Sequence, residues 1–234
     1  MSRSRQDIVD YLSGFVTPER IETMDRVISN RTRYITVALE DIYQSHNASA
    51  VLRTCECFGI QDIHIIENKN RYTINPDVAL GATKWLNLVK YNREDYNSLE
   101  AIESLKKAGY RIVATSLSDK ATPLEKFDLE KGKAALFFGT ELTGLTIQML
   151  NQADEHLRIP IFGFTESFNI SVSSAIIIHN LIQNLRKSDI SWQLSQQELI
   201  RLKYTWLMNS VRRADLLEKR FLDEENKNNQ DNFK

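Results

Sequence analysis

Short, almost continuous apolar runs alternate along this chain with longer stretches in which apolar residues recur every three or four positions. The runs are Tyr34–Leu39, Asp62–Ile66, Trp85–Val89, Tyr110–Ala114, Ala134–Phe138 and His156–Ile159. They are too short for helices and rich in β-branched and aromatic residues, which predicts strands. Between them, Asn47–Phe58 and Leu99–Ala108 carry helical periodicity. Gly59 and Gly109 follow, suited to the left-handed position after a helix. Near-continuous apolar strands separated by helices predict an α/β fold with a parallel sheet covered on both faces.

The two ends read differently. Thr17-Pro18 is a helix cap with proline in the first turn, followed by Ile21, Met24 and Ile28 at helical spacing. Arg20, Arg26 and Arg31 occupy other positions. From Ser195 to Phe221 one long helix is expected, with Leu199, Leu202, Trp206, Leu217 and Phe221 as its apolar stripe. Arg201, Arg212 and Lys219 project to the other side. Val172–Leu185 is apolar around its whole circumference, which predicts burial on all sides and a homodimer interface. The expected organisation is a helical extension over 1–33, a sheet domain over 34–190, a C-terminal helix over 191–222 and a disordered polar tail over 223–234.

Composition narrows the function classes. Thirty Lys and Arg against 31 Asp and Glu leave a net charge of −1, so any nucleic-acid surface is a local patch. Met1–Val16 is charged throughout, with no secretory leader expected, and no apolar run reaches the roughly 20 residues of a membrane span. Cys55 and Cys57 lie two apart within a helix and point to different faces, so no disulfide and no metal site is expected, only reduced cytosolic thiols. There is no G-x-G-x-x-G after the first strand and no P-loop.

Three segments carry candidate chemistry, each joining an apolar run to a loop of small and polar residues. The first is His46-Asn47-Ala48-Ser49-Ala50-Val51-Leu52-Arg53. Its helix buries Val51, Leu52, Cys55 and Phe58, so Arg53 points away from the core and Asn47 sits where an N-cap belongs. The second is Phe138-Gly139-Thr140-Glu141-Leu142-Thr143-Gly144. A strand ending in glycine admits close approach of backbone to a ligand, and Glu141 follows at the carboxyl end, where α/β sheets hold their ligands. The third runs from Ile159-Pro160-Ile161-Phe162-Gly163 to Ser167-Phe168-Asn169-Ile170-Ser171, a polar loop opening a helix.

In this order the three segments resemble the motifs of the SPOUT-class RNA 2′-O-ribose methyltransferases, TrmH branch, over about Arg33–Lys187. The resemblance implies a C-terminal trefoil knot with helical extensions on both sides, S-adenosylmethionine as cofactor, and a cytoplasmic homodimer acting on tRNA. It implies Arg53, Asn47, Glu141, Ser167 and Asn169 as catalytic residues. Thr115, Gly139, Ile159 and Phe168 match the cofactor-binding positions. Phe168 stands where the family has Leu, and Thr140 and Leu142 where it has Gln and Lys. The implied reaction is methylation of the ribose 2′-hydroxyl of guanosine 18 in the tRNA D-loop, with a ribosomal-RNA target or another tRNA nucleotide as the alternative.

Overall fold

The computed structural model describes residues 4–73 and 75–231, and side-chain burial through residue 223. The described chain forms two compact units, one from residue 32 to 192 and one from both ends, up to residue 31 and from residue 193.

The first unit is a seven-stranded sheet in the order β3-β2-β1-β6-β4-β7-β5, parallel throughout. The strands are β1 (Ile35–Glu40), β2 (Asp62–Ile66), β3 (Asn87–Tyr91), β4 (Arg111–Thr115), β5 (Thr122–Pro123), β6 (Ala134–Phe138) and β7 (Glu155–Arg158). β1 and β6 are buried along their whole length, the signature of central strands covered on both faces. One face is covered by α3 (Ser45–Phe58) and α7 (Ile170–Lys187), which pack on each other. Val51, Leu52 and Cys55 there meet Ile177, Ile178, Leu181, Ile182 and Leu185 in one core cluster. On the other face α5 (Ser98–Lys107) and α6 (Ile147–Gln152) cover a second cluster containing Ile102, Leu105, Phe137 and Met149.

Several expectations shift. The third strand starts at Asn87 because Ala82–Lys84 take a 3₁₀ turn that Trp85 closes through its N–H to the Ala82 carbonyl. The two-residue β5 was not foreseen, and its Pro123 suits only the edge it occupies. The helix α7, apolar all round in sequence, is buried by its own protomer on one side only. Val172, Ile176 and His179 form an exposed stripe, while Ile178 is completely buried.

The second unit joins α1 (Arg5–Ser13) and α2 (Pro18–Ile28) to the C-terminal helices. The long C-terminal helix expected over 191–222 is two helices, α8 (Gln196–Ser210) and α9 (Ala214–Asp231), and α9 continues through the segment expected to be disordered. The break falls at Val211–Arg213, where Arg213 adopts a left-handed φ of 57°. Residues 232–234 of the expected tail lie outside the described residues. Arg31 is buried with its guanidinium 5.2 Å from the Trp206 ring centroid, a cation–π contact. It is therefore not an exposed phosphate grip. Arg20, Arg26, Arg201, Arg212 and Lys219 are exposed.

A buried imidazole gives the sheet a pH dependence. His64 on β2 pairs its Nδ1 with the Tyr91 hydroxyl at 3.0 Å, and burial pushes its pKa from 6.5 down to about 4 against the opposing pull of Asp62. It stays neutral when folded, whereas the unfolded chain takes up a proton below about pH 6.5. This contribution is complete above pH 6.5 and is lost as pH falls toward 4, by up to about 3 kcal/mol. Urea denaturation is expected to show a smaller fall in stability between pH 7 and pH 5 for His64→Gln than for the unmodified protein. Equal falls would contradict this assignment.

Candidate active site

Because every strand runs the same way, the loops after β1, β4, β6 and β7 all open on one edge of the sheet. The loop after β6 is the most constrained. Thr140 and Gly144 exchange backbone hydrogen bonds, at 3.1 Å for the Thr140 N–H and 2.9 Å for the Gly144 N–H. This folds the turn back onto the strand end. A Cβ on Gly139 would collide with the backbone of Gly144 and Leu145. The glycine is thus required by the chain's own close approach, not by a ligand's as its sequence context suggested. Gly144 closes the turn at φ 69°, and Glu141 is held inside it.

Glu141 Oε1 accepts hydrogen bonds from Asn47 Nδ2 at 2.8 Å and from Asn169 Nδ2, which also approaches Asn47 Oδ1 at 3.4 Å. One residue from each of the three segments thus converges. Local structure fixes both amides. Asn169 is the N-cap of α7, so its Oδ1 accepts the Ser171 N–H at 2.9 Å and its Nδ2 is turned toward Glu141. Capping and site building are one arrangement here. Asn47, by contrast, is not an N-cap. α3 begins two residues earlier with Gln44 as its cap residue, and Asn47 Nδ2 also donates to Gln44 Oε1 at 2.8 Å.

Beside this cluster lies a pocket of about 400 Å³, within the range typical of small-molecule sites. Thr115, Gly139, Ile159 and Phe168, the four expected cofactor contacts, all line it, as do Glu141 and Ser167. The Thr115 hydroxyl donates to the Phe137 carbonyl at 2.8 Å, tying β4 to β6, so its side-chain proton is already committed. Ser116, Leu117 and Ser118, on the loop after β4, also form the wall and were missed. Their only signal was position after a strand.

Residues 159–168 make no hydrogen bond with any other described residue, through backbone or side chain. Phe162 and Phe164 are fully exposed on the same segment. A run of amides left unpaired beside a pocket is available to a ligand. Ser167 lines the pocket without joining the amide–carboxylate cluster. Arg53 stands apart as well. It is exposed six residues beyond Asn47, about 9 Å along the helix, and forms no ion pair or hydrogen bond among the described residues. Among the described residues no group of three or more His, Cys, Asp or Glu is placed to hold a metal ion, and no helix is long and apolar enough to cross a membrane. Cys55 is buried, with its thiol pKa raised by that burial, and Cys57 is exposed.

These features define a class, the α/β proteins that receive a small ligand at the carboxyl edge of a parallel sheet. Comparison with known proteins makes the class specific. The model of the SpoU rRNA Methylase family matches residues 34–179, and the chain belongs to that family. It is 48% identical to the tRNA (guanosine(18)-2′-O)-methyltransferase of Borreliella burgdorferi over 84% of this chain and 88% of that protein. The Escherichia coli protein of the same name is 30% identical over 79% of this chain and 82% of its own length. Among solved structures, the TrmH/SpoU tRNA modifying enzyme of A. aeolicus superposes with a TM-score of 0.73 at 26% identity, covering 83% of this chain and 98% of that one.

The turn supplies a test. Gly139→Ala is expected to cost about 1–3 kcal/mol of stability, because rigid backbone must move to admit the methyl group. Urea denaturation measures this, and an unchanged midpoint would contradict the close approach.

Proposed function

We propose that this protein transfers a methyl group from S-adenosylmethionine to the ribose 2′-hydroxyl of guanosine 18 in the D-loop of tRNA. The observation that carries the reading is the meeting of Asn47, Glu141 and Asn169, one from each segment, beside a pocket lined by all four expected cofactor contacts. The tRNA target is favoured over a ribosomal one because the 48% identity spans 198 residues, beyond the 34–179 segment and into the helical ends.

The residues present fit such a cofactor. The pocket has the volume, apolar walls at Leu145, Leu157 and Ile159, and an adjoining segment of free backbone amides for a purine edge. The deep trefoil knot belongs to the same proposal, formed by the segments after β6 and β7. When bound, S-adenosylmethionine supplies a sulfonium methyl, open to in-line attack by an oxygen. The protein's work is to position that oxygen and to ease the loss of its proton. Positioning in a dry site accounts for up to about 7–11 kcal/mol of barrier reduction. Glu141 Oε1 is saturated by two amides, so its carboxylate is rigid, and Oε2 is left to orient a donor group in the pocket. Arg53, permanently cationic, grips the phosphate of the target nucleotide and stabilises the developing alkoxide, while the proton leaves through phosphate or water.

Exposed Arg20, Arg26, Arg201, Arg212 and Lys219 on the helical unit contact the tRNA backbone, setting affinity and salt dependence without choosing the base. The protein acts in the cytoplasm as a homodimer, for which the exposed stripe of Val172 and Ile176 on α7 is the supporting feature.

Arg53→Ala is expected to leave stability and calorimetric affinity for S-adenosylmethionine unchanged while lowering incorporation of labelled methyl into unmodified tRNA at least tenfold. Retention of more than a tenth of the turnover would contradict a role for Arg53 in the transfer. For the dimer, Ile176→Glu places a charge on the exposed stripe and is expected to give a folded monomer by light scattering. A monomeric unmodified protein, or a variant that stays dimeric, would contradict that assignment. Ile178 is unsuitable for this test, because a charge there sits in the protomer's own core.

A further inference from the structure

The end of β1 carries a second arrangement that the amide–carboxylate cluster does not use. Asp41 adopts a left-handed φ of 56°, uncommon for a residue with a side chain, and its Oδ1 accepts three consecutive backbone N–H groups. These come from Asn68 at 2.8 Å, Lys69 at 2.8 Å and Asn70 at 3.1 Å. Asn70 Nδ2 returns a bond to the Asp41 carbonyl at 2.9 Å. One buried carboxylate therefore straps the loop after β2 to the turn after β1. The loop carries Lys69 and Arg71 with exposed side chains, neither paired with another described residue through its side chain. The turn carries Tyr43, which is 78% exposed and makes no ring contact.

The placement of Tyr43 is itself built. Ile42 before it is anchored in the core. Gln44 after it is the cap residue of α3 and accepts from Asn47, which donates onward to Glu141. A bare aromatic ring is thus held one residue and two hydrogen bonds from the site carboxylate, with two free cations strapped beside its turn. Aromatic faces interleaved with cations are how proteins hold unpaired nucleotides. The ring stacks on a base and the cations take flanking phosphates.

We infer that Tyr43 is a stacking platform for an unpaired base of the substrate RNA at or next to the methylated nucleotide, with Lys69 and Arg71 contacting the adjoining phosphates. This rests on the function proposed above and names the surface on the catalytic unit that receives the RNA. Tyr43 acts as a positioning residue. It presents the nucleotide to the pocket and does not touch the transferred methyl.

The test compares Tyr43→Ala and Tyr43→Phe with the unmodified full-length protein on unmodified tRNA, with steady-state methyl transfer and fluorescence anisotropy of labelled tRNA as readouts. Tyr43→Ala is expected to raise KM and the tRNA dissociation constant about tenfold or more, with calorimetric affinity for S-adenosylmethionine unchanged. Tyr43→Phe, which keeps the ring, is expected to restore both within about twofold. The double variant Lys69→Gln, Arg71→Gln is expected to flatten the slope of log affinity against log salt by between one and two. An unchanged KM and dissociation constant in Tyr43→Ala would overturn the inference, as would a Tyr43→Phe variant as weak as Tyr43→Ala, or an unaltered salt slope. A protein that binds tRNA through Tyr43 yet transfers no methyl would uphold the platform and defeat the methylation reading. One that binds no RNA would defeat both.

Discussion

The Glu141 carboxylate, held by the side-chain amides of Asn47 and Asn169, is the interaction on which the site depends. It joins the ends of three separate strand–loop segments at one point. A hydrogen bond to an ionised carboxylate is about twice as strong as a neutral one, and here two share a single oxygen. Each partner is also fixed from its own side. The Thr140–Gly144 turn folds against Gly139, Asn169 caps α7, and Asn47 leans on Gln44. No member is free to turn away, so the carboxylate meets the pocket already oriented, the preorganisation that catalysis rewards.

Rigidity on one side of the pocket contrasts with openness on the other. The sheet edge is pinned by buried polar groups. Glu40 at the end of β1 accepts the Thr146 N–H and hydroxyl and the Ser98 hydroxyl, fastening the starts of α5 and α6. Asp41 next to it fastens the loop after β2. The segment 159–168 has no such ties among the described residues and exposes Phe162 and Phe164. Backbone left without partners is stabilised by whatever binds it, so cofactor occupancy and the order of this segment are expected to be coupled.

The parallel α/β architecture was legible because the central strands are buried on both faces and so read as unbroken apolar runs. Ala134–Phe138 matched to the residue. The third strand slipped by two positions because Leu86 is apolar for packing in the core while the backbone at Trp85 and Leu86 still turns. The break between α8 and α9 was hidden because both helices keep one periodicity across Val211–Arg213, and only the left-handed Arg213 interrupts it. At the site, Asn47, Glu141 and Asn169 were visible as small polar groups after strands. Ser116 and Ser118 were not, because a pocket wall made of ordinary loop residues has no periodicity to betray it. Burial also misled at two positions. Arg31 read as a surface cation and is enclosed with Trp206, while Ile178, which in sequence is as apolar as the outward-facing Ile176, belongs to the protomer's own core.

The most direct measurement is the position of the methyl group on the RNA. Unmodified tRNA incubated with the protein and S-adenosylmethionine is to be mapped nucleotide by nucleotide for resistance of the following phosphodiester to alkaline cleavage, the signature of a blocked 2′-hydroxyl. A single new resistant site is expected, at guanosine 18 of the D-loop. Methylation at any other nucleotide, on a base in place of ribose, or on ribosomal RNA alone would contradict it.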